Sequence, residues 1–327
     1  MKKLFNIFVV SFALVFSSSV FANKIGVVYD SGGKFDKSFN ELAFNTAERV
    51  KNELGWDMVE FESSNDAQIE QGMRKIADRG ATMIVGMGFA QADAVAAVSA
   101  DYPDIKFVAV DVCWLDDPNN NIYQACYKEH EGSFLVGMMA AMASKTGTIG
   151  FVGGMDIPLI RKFQGGYEQG AQYVNPDIEV LANMTGTTNE AWNNPTKGAE
   201  LTKAQIDGGA DVVYQAAGGT GIGVLQAAAD AGIMGIGVDA NQNWMHPGNM
   251  LTSMLKRLDL TIFAQAEAIA AGTFEPSGQF LSLGLAEGGV GYATEDGMVT
   301  DEMAAAADAA AADIASGAIV VADWSQE

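Results

Sequence analysis

The chain of 327 residues has only two histidines and two cysteines, too few for the usual His and Cys cage around a metal. Basic residues are scarce as well. Nineteen Lys and Arg stand against 41 Asp and Glu, a formal net charge of −22. So acidic a surface repels phosphate backbones and anionic bilayers, which excludes a nucleic-acid polymer as partner and a polybasic membrane anchor. No run reaches about 18 consecutive apolar residues, so no membrane-spanning helix is expected. Catalytic signatures are missing too. There is no G-x-S-x-G elbow and no G-x-x-x-x-G-K-S/T phosphate loop. His130 and His246 sit in no triad context and read as polar surface or hydrogen-bonded residues. No cofactor or metal is implied, and the chain is not expected to be an enzyme.

What is present suits a folded α/β protein: 49% apolar residues and 37 glycines. The N-terminus has Lys2 and Lys3, an apolar run from Leu4 to Phe16, and a small residue at Ala22. That is the pattern of a cleavable secretory signal over 1–22. Residue 23 is Asn, not Cys, so no lipid can be attached to a new N-terminal cysteine. A free periplasmic protein is expected, and loss of Lys2 and Lys3 takes its charge to −24. Cys113 and Cys126 would then meet an oxidising compartment, either as a disulfide or as two buried thiols; spacing does not decide between them.

Beyond Ala22, short β-branched runs alternate with segments of helical period. Ile25–Tyr29, Thr82–Val85 and Phe107–Val110 read as strands, with a helix capped at Asn65 and another over Ala90–Ala100. Alternation of this kind implies βαβ units and a parallel sheet. The design then returns. Gly80–Val85 resembles Gly209–Tyr214 at an offset of 129 residues, and Val110-Asp111 resembles Val238-Asp239 at 128. Two equivalent lobes are therefore expected, 23–126 plus 254–282 and 127–253 plus 283–327, with the chain crossing near 126, 253 and 283. Three crossings make a hinge, and the cleft between the lobes closes on a ligand.

In such sheets, ligands bind beyond the carboxyl ends of the strands. Asp30, Asp111 and Asp239 stand there, as acceptors for hydroxyl or ring N–H donors or as caps of the following turns. Lys37-Ser38-Phe39-Asn40 opens the first helix; Phe39 offers a flat face for stacking, or a hydrophobic staple. Gly218 and Gly219 make backbone room for a small ligand. Lys256 near a hinge suits a ligand hydroxyl or an ion pair, or else a solvated surface position. Trp192 sits in a polar loop, as contact aromatics do. Most methionines read as core filler, with Met87 a candidate for the cleft wall.

Five motifs occur in order: Asp36-Lys37-Ser38-Phe39-Asn40, Glu131-Gly132-Ser133-Phe134-Leu135-Val136-Gly137, Gly153–Ile160, Gly237-Val238-Asp239 and Thr252–Arg257. Together they resemble the basic membrane protein family, substrate-binding proteins of ABC importers whose best understood members are purine nucleoside receptors. The resemblance implies a type I periplasmic-binding fold, two doubly wound parallel-sheet lobes on a three-crossing hinge. It also implies a small-molecule ligand, a purine nucleoside, delivered to an ABC permease driven by a separate ATPase subunit. The chain itself is expected to act as a monomer. By the same resemblance Phe39 and Trp192 sandwich the base, Asp111 binds its edge, and Asp239 with Lys256 holds the ribose, while Asp30, Ser38 and Asn40 share the cleft. A nucleoside hydrolase or a sensor feeding a membrane receptor would use the same cleft.

Overall fold

The computed structural model describes residues 22–63 and 65–326. All of the expected leader except Ala22 lies outside the described residues. The first strand, β1 (Lys24–Tyr29), is buried from Ile25 to Tyr29, as a parallel strand covered by helices on both faces requires. It is followed by α1 (Phe39–Leu54), β2 (Asp57–Glu62), α2 (Ile69–Asp78), β3 (Met83–Met87), α3 (Ala92–Asp101), β4 (Lys106–Val110) and β5 (Ile122–Tyr127). Before both α2 and α3 the chain first makes one 3-10 turn, Asp66–Gln68 and Phe89–Gln91. Those helices therefore begin later than capping residues and periodicity suggest.

The second run repeats the first. It comprises α4 (Glu129–Ala143), β6 (Thr148–Met155), α5 (Pro158–Val174), β7 (Glu179–Gly186), α6 (Pro195–Asp207), β8 (Val212–Ala216), α7 (Gly221–Asp230), β9 (Met234–Asp239) and β10 (Met250–Lys256). The chain then returns to the first lobe with α8 (Leu258–Ala271) and β11 (Ser282–Leu283), and ends in the second with β12 (Val290–Tyr292) and α9 (Asp301–Ser316). The two sheets read β11-β5-β4-β3-β1-β2 and β12-β10-β9-β8-β6-β7, identical strand for strand. They differ at the last edge: β11 runs parallel to β5, and β12 antiparallel to β10. Crossings between the sheets follow Tyr127, Lys256 and Leu283. The fold is thus two parallel-sheet α/β lobes joined three times.

Alternation along the strands explains two cores in the first lobe. Met83, Val85 and Met87 face α1 and α8, whereas Ile84 faces α2 and α3. The cysteine question is also answered: Cys113 and Cys126 form a disulfide between the β4–β5 connection and β5, with Cα atoms 5.8 Å apart. In the second lobe, α4 and α5 pack almost backbone to backbone. A Cβ on Gly137, Gly166 or Gly170 would lie 2.1, 2.2 or 1.9 Å from a main-chain oxygen of the facing helix. Only glycine permits that approach. Gly170→Ala should force the helices apart and lower stability by about 1–3 kcal/mol, the usual cost of overpacking, seen as a reduced urea midpoint.

Candidate functional site

Asp111, just past β4, and Asp239, the last residue of β9, hold equivalent places in the two lobes. Both adopt left-handed backbone, with φ of 62° and 64°, a conformation Asp tolerates better than most side chains. The turn carries each carboxylate to the space between the lobes. There a cavity is walled by Phe39, Phe89, Leu159, Ile160, Phe163 and Trp192, with Asp30, Asp111, Asp239 and Lys256 supplying charge. Phe39 reaches it because it is the first residue of α1. The start of that helix is capped by Asp36, whose carboxylate accepts from the N–H groups of Ser38 (2.8 Å), Asn40 (3.0 Å) and Glu41 (3.1 Å). Trp192 lies flat on Gly154, where a Cβ would stand 2.1 Å from the ring.

The lobes touch across this cleft. Ser38 Oγ, from the first lobe, lies 2.8 Å from Asp239 Oδ2 and 3.0 Å from the Val238 carbonyl, both in the second. Gln242 Nε2 donates to the Lys37 carbonyl at 3.0 Å. Gly219 faces Gly32 so closely that a Cβ would come within 2.9 Å of the Gly32 carbonyl. Asn40 stands behind the wall: its Nδ2 donates to Asp30 Oδ1 at 2.5 Å, and its Oδ1 accepts from the Asp30 N–H at 3.1 Å. Gly218 lines the cavity with φ of 55°.

Lys256 is 1% exposed and anything but solvated. Its ammonium contacts Asp111 Oδ1 at 2.6 Å, Asp111 Oδ2 at 2.8 Å and Glu129 Oε1 at 3.0 Å. Glu129 Oε2 is in turn 2.7 Å from Lys162 Nζ, which also donates to the Tyr127 carbonyl. Two ammoniums and two carboxylates therefore form one buried chain. Burial alone would lower the Lys256 pKa, but Asp111, Glu129 and Asp239 hold it above the ordinary lysine value. Burial would likewise raise Glu129, yet Lys162 and Lys256 keep it below the usual carboxylate range. Asp239 has no such cation in contact. Burial pushes it up to about 6, against the pull of Lys256 and the Ser38 hydrogen bond. Asp36 is pushed by burial to about 7 despite its backbone donors.

Of the roles open to Lys256 in the sequence, the ion pair is the one found, made with Asp111 and Glu129. The strand ends on Lys256 itself, which brings the ammonium beside Asp111 and the first turn of α4. Met87 is fully buried in the first-lobe core with Val85 and Val110 and does not line the cavity, because strand alternation turns it toward α1 and α8. His130, read as surface or hydrogen-bonded, is 8% exposed, and burial lowers its pKa. Sequence reasoning missed Asp36, Phe89, Glu129, Lys162 and Phe163. The one visible signal was an acid pair, Glu129 and Glu131, heading an otherwise apolar helix.

The whole described chain matches one family. Residues 22–324 fit the Bmp family, ABC transporter substrate-binding proteins described as PnrA-like. The chain belongs to that family. Basic membrane protein A2 of Borrelia garinii subsp. bavariensis is 34% identical over 286 residues, 86% of this chain and 82% of the relative. A Lactococcus lactis protein named ABC transporter nucleoside-binding protein BmpA is 31% identical over 320 residues, 91% of this chain and 88% of its own length. An ABC transporter solute-binding protein of Aeropyrum pernix superposes with a TM-score of 0.82 at 27% identity, over 92% of this chain and 93% of that one. As a member of the Bmp family, this chain is an ABC transporter substrate-binding protein.

The buried charge chain gives a stability test. Lys256→Met leaves Asp111 and Glu129 facing a thioether, and should cost about 3–5 kcal/mol in chemical denaturation. Removing the exposed Lys51–Glu48 pair by Lys51→Met should cost under about 1 kcal/mol in the same assay.

Proposed function

We propose that this chain captures a purine nucleoside such as guanosine, inosine or adenosine between its lobes and delivers it to an ABC permease. The observation that carries this reading is one slot lined by the aromatics Phe39 and Trp192 and by the acceptors Asp30, Asp111 and Asp239. A flat heterocycle stacked on these rings would gain about 0.5–1.5 kcal/mol per ring beyond area burial. Asp239 has one oxygen engaged by Ser38, and its other oxygen suits a ribose hydroxyl, a charge-assisted bond of about 1.5–3 kcal/mol. Lys256, which lines the same slot, can share one of its N–H groups with a second hydroxyl. Asp111, already shared with Lys256, accepts from the base edge. The name of the Lactococcus relative supports the nucleoside class.

Delivery follows from membership of a transporter family, with the ATPase on a separate subunit, since this sequence has no phosphate loop. The protein acts outside the cytoplasm, released by signal cleavage. Two Pyrococcus relatives are called lipoproteins, against the expectation of an unlipidated protein drawn from Asn23.

Titration calorimetry against nucleosides, free bases, ribose and nucleoside 5′-monophosphates tests the reading. Nucleosides should bind at micromolar affinity or better, about −8 kcal/mol, and monophosphates at least about 100-fold more weakly, because Asp30, Asp111 and Asp239 oppose added negative charge. Binding of ribose with no response to any nucleoside would overturn it. Asp239→Ala should weaken nucleosides by about 10–100-fold and free bases little; equal losses would remove the ribose role.

The pH dependence has a definite sign. Asp239 holds its proton up to about pH 6 when buried, above its unfolded value, so its contribution to folding is largest at low pH and disappears as pH rises through 6. A ligand donating to the ionised carboxylate reverses the trend. Nucleoside affinity should therefore fall up to about tenfold per pH unit below 6, and Asp239→Asn should flatten that slope.

A further inference from the structure

The slot does not end at Asp111. Phe89, Asp111 and Leu159 line it and also line a larger space that continues between the lobes. This outer space has an apolar rim. Pro158 and Leu159, at the start of α5, form one side, and Trp114 and Phe280 the other. Both aromatics are unusually open, Trp114 at 48% and Phe280 at 72% exposure. Phe280 is held that way by its backbone: its φ is 64°, and its N–H donates to the Cys113 carbonyl at 2.6 Å. Left-handed backbone is costly for a bulky residue, so the ring is fixed outward at some expense.

The other end of the slot is unlike this one. Asp239 also borders a polar space bounded by Asn241, Arg257, Asp259 and Thr294. A ligand with one hydroxylated end and one flat end is thereby oriented: hydroxyls toward Asp239, ring edge toward Asp111. The two charges flanking Asp111 in the outer space, Lys162 and Asp323, have opposite signs, so nothing there calls for an ionic group.

We propose that the outer space receives a neutral aryl or alkyl substituent on the edge of the bound heterocycle, so that the protein accepts purine nucleosides modified on the exocyclic nitrogen. This rests on the nucleoside reading and extends it. Contiguity with the slot names the occupant, because a group attached to a base edge held at Asp111 meets the gap beside that residue. Trp114 and Phe280 then gain cover that solvent does not give them.

The test compares adenosine, N6-benzyladenosine and 5′-O-benzyladenosine by calorimetry on the wild type and on Trp114→Ala/Phe280→Ala. On the wild type, N6-benzyladenosine should bind within about threefold of adenosine or tighter, while the 5′ derivative loses at least about 100-fold from forcing an apolar ring into the polar end. The double variant should leave adenosine unchanged and weaken N6-benzyladenosine by about tenfold, as loss of one or two ring contacts predicts. If adenosine binds but both benzyl derivatives fail alike, the proposal falls and the nucleoside reading stands. The proposal also falls if the double variant treats adenosine and its N6-benzyl derivative equally. If none of the three binds while guanosine or inosine does, the proposal falls and the nucleoside reading stands; if no nucleoside binds while the protein is folded, both fall together.

Discussion

The ammonium of Lys256 is the charge around which the cleft is arranged. A lone ammonium in a space this closed would cost several kcal/mol, so its surroundings are constrained before any ligand is considered. Asp111 must turn into left-handed backbone to meet it, and α4 must begin with Glu129. Glu129 has no exposure of its own and must share its charge with Lys162 on α5. The α4–α5 pair is drawn together at this point, and the three glycines that let the helix backbones touch belong to the same arrangement. One buried cation thus links strand end, hinge and helix packing. The resulting chain pairs its acids with cations, which leaves Asp239 a cleft acid with no ammonium in contact.

That asymmetry is built on a symmetric frame. The lobes share strand order, and Asp111 and Asp239 share position and backbone angle. They differ in partner. Asp111 is bound by an ammonium, Asp239 by the hydroxyl of Ser38. The ammonium opposes the burial that raises Asp111 and holds its two oxygens in place, whereas the hydroxyl leaves Asp239 free to accept again. Two copies of one structural position have therefore become a fixed pole and an adaptable one, enough to give a small ligand a direction.

Much of this was legible in sequence. Strand–helix alternation and the offsets of 129 and 128 residues anticipated two equivalent lobes, because βαβ units repeat with the spacing of their parts. Asp30, Phe39, Asp111, Trp192, Gly218, Asp239 and Lys256 meet at one cavity, and the strand-end rule needs only the last residue of each strand to say so. Partnerships were not legible. Which of two aspartates Lys256 would choose depends on the strand reaching Lys256 before the chain turns, a matter of two or three residues at a boundary. Glu129 and Lys162 stand 33 positions apart on different helices, and nothing local joins them. Met87 went astray for a related reason: position near a strand end does not say which face a side chain takes, and alternation put it in the core.

Ser38 shows how recognition and closure avoid competing. Its hydroxyl has one proton and two acceptors in reach, Asp239 and the Val238 carbonyl. Both acceptors belong to β9 in the second lobe, while Ser38 belongs to the first. If ligand hydroxyls take over the carboxylate, the proton can move to the carbonyl with no loss of contact between lobes. Were both acceptors on side chains, ligand binding would have to break the contact that closure makes. A backbone carbonyl cannot be titrated or turned away, so the interlobe bond survives whichever state Asp239 adopts. The lobes can thus stay joined while the one adaptable carboxylate answers to the ligand and to pH.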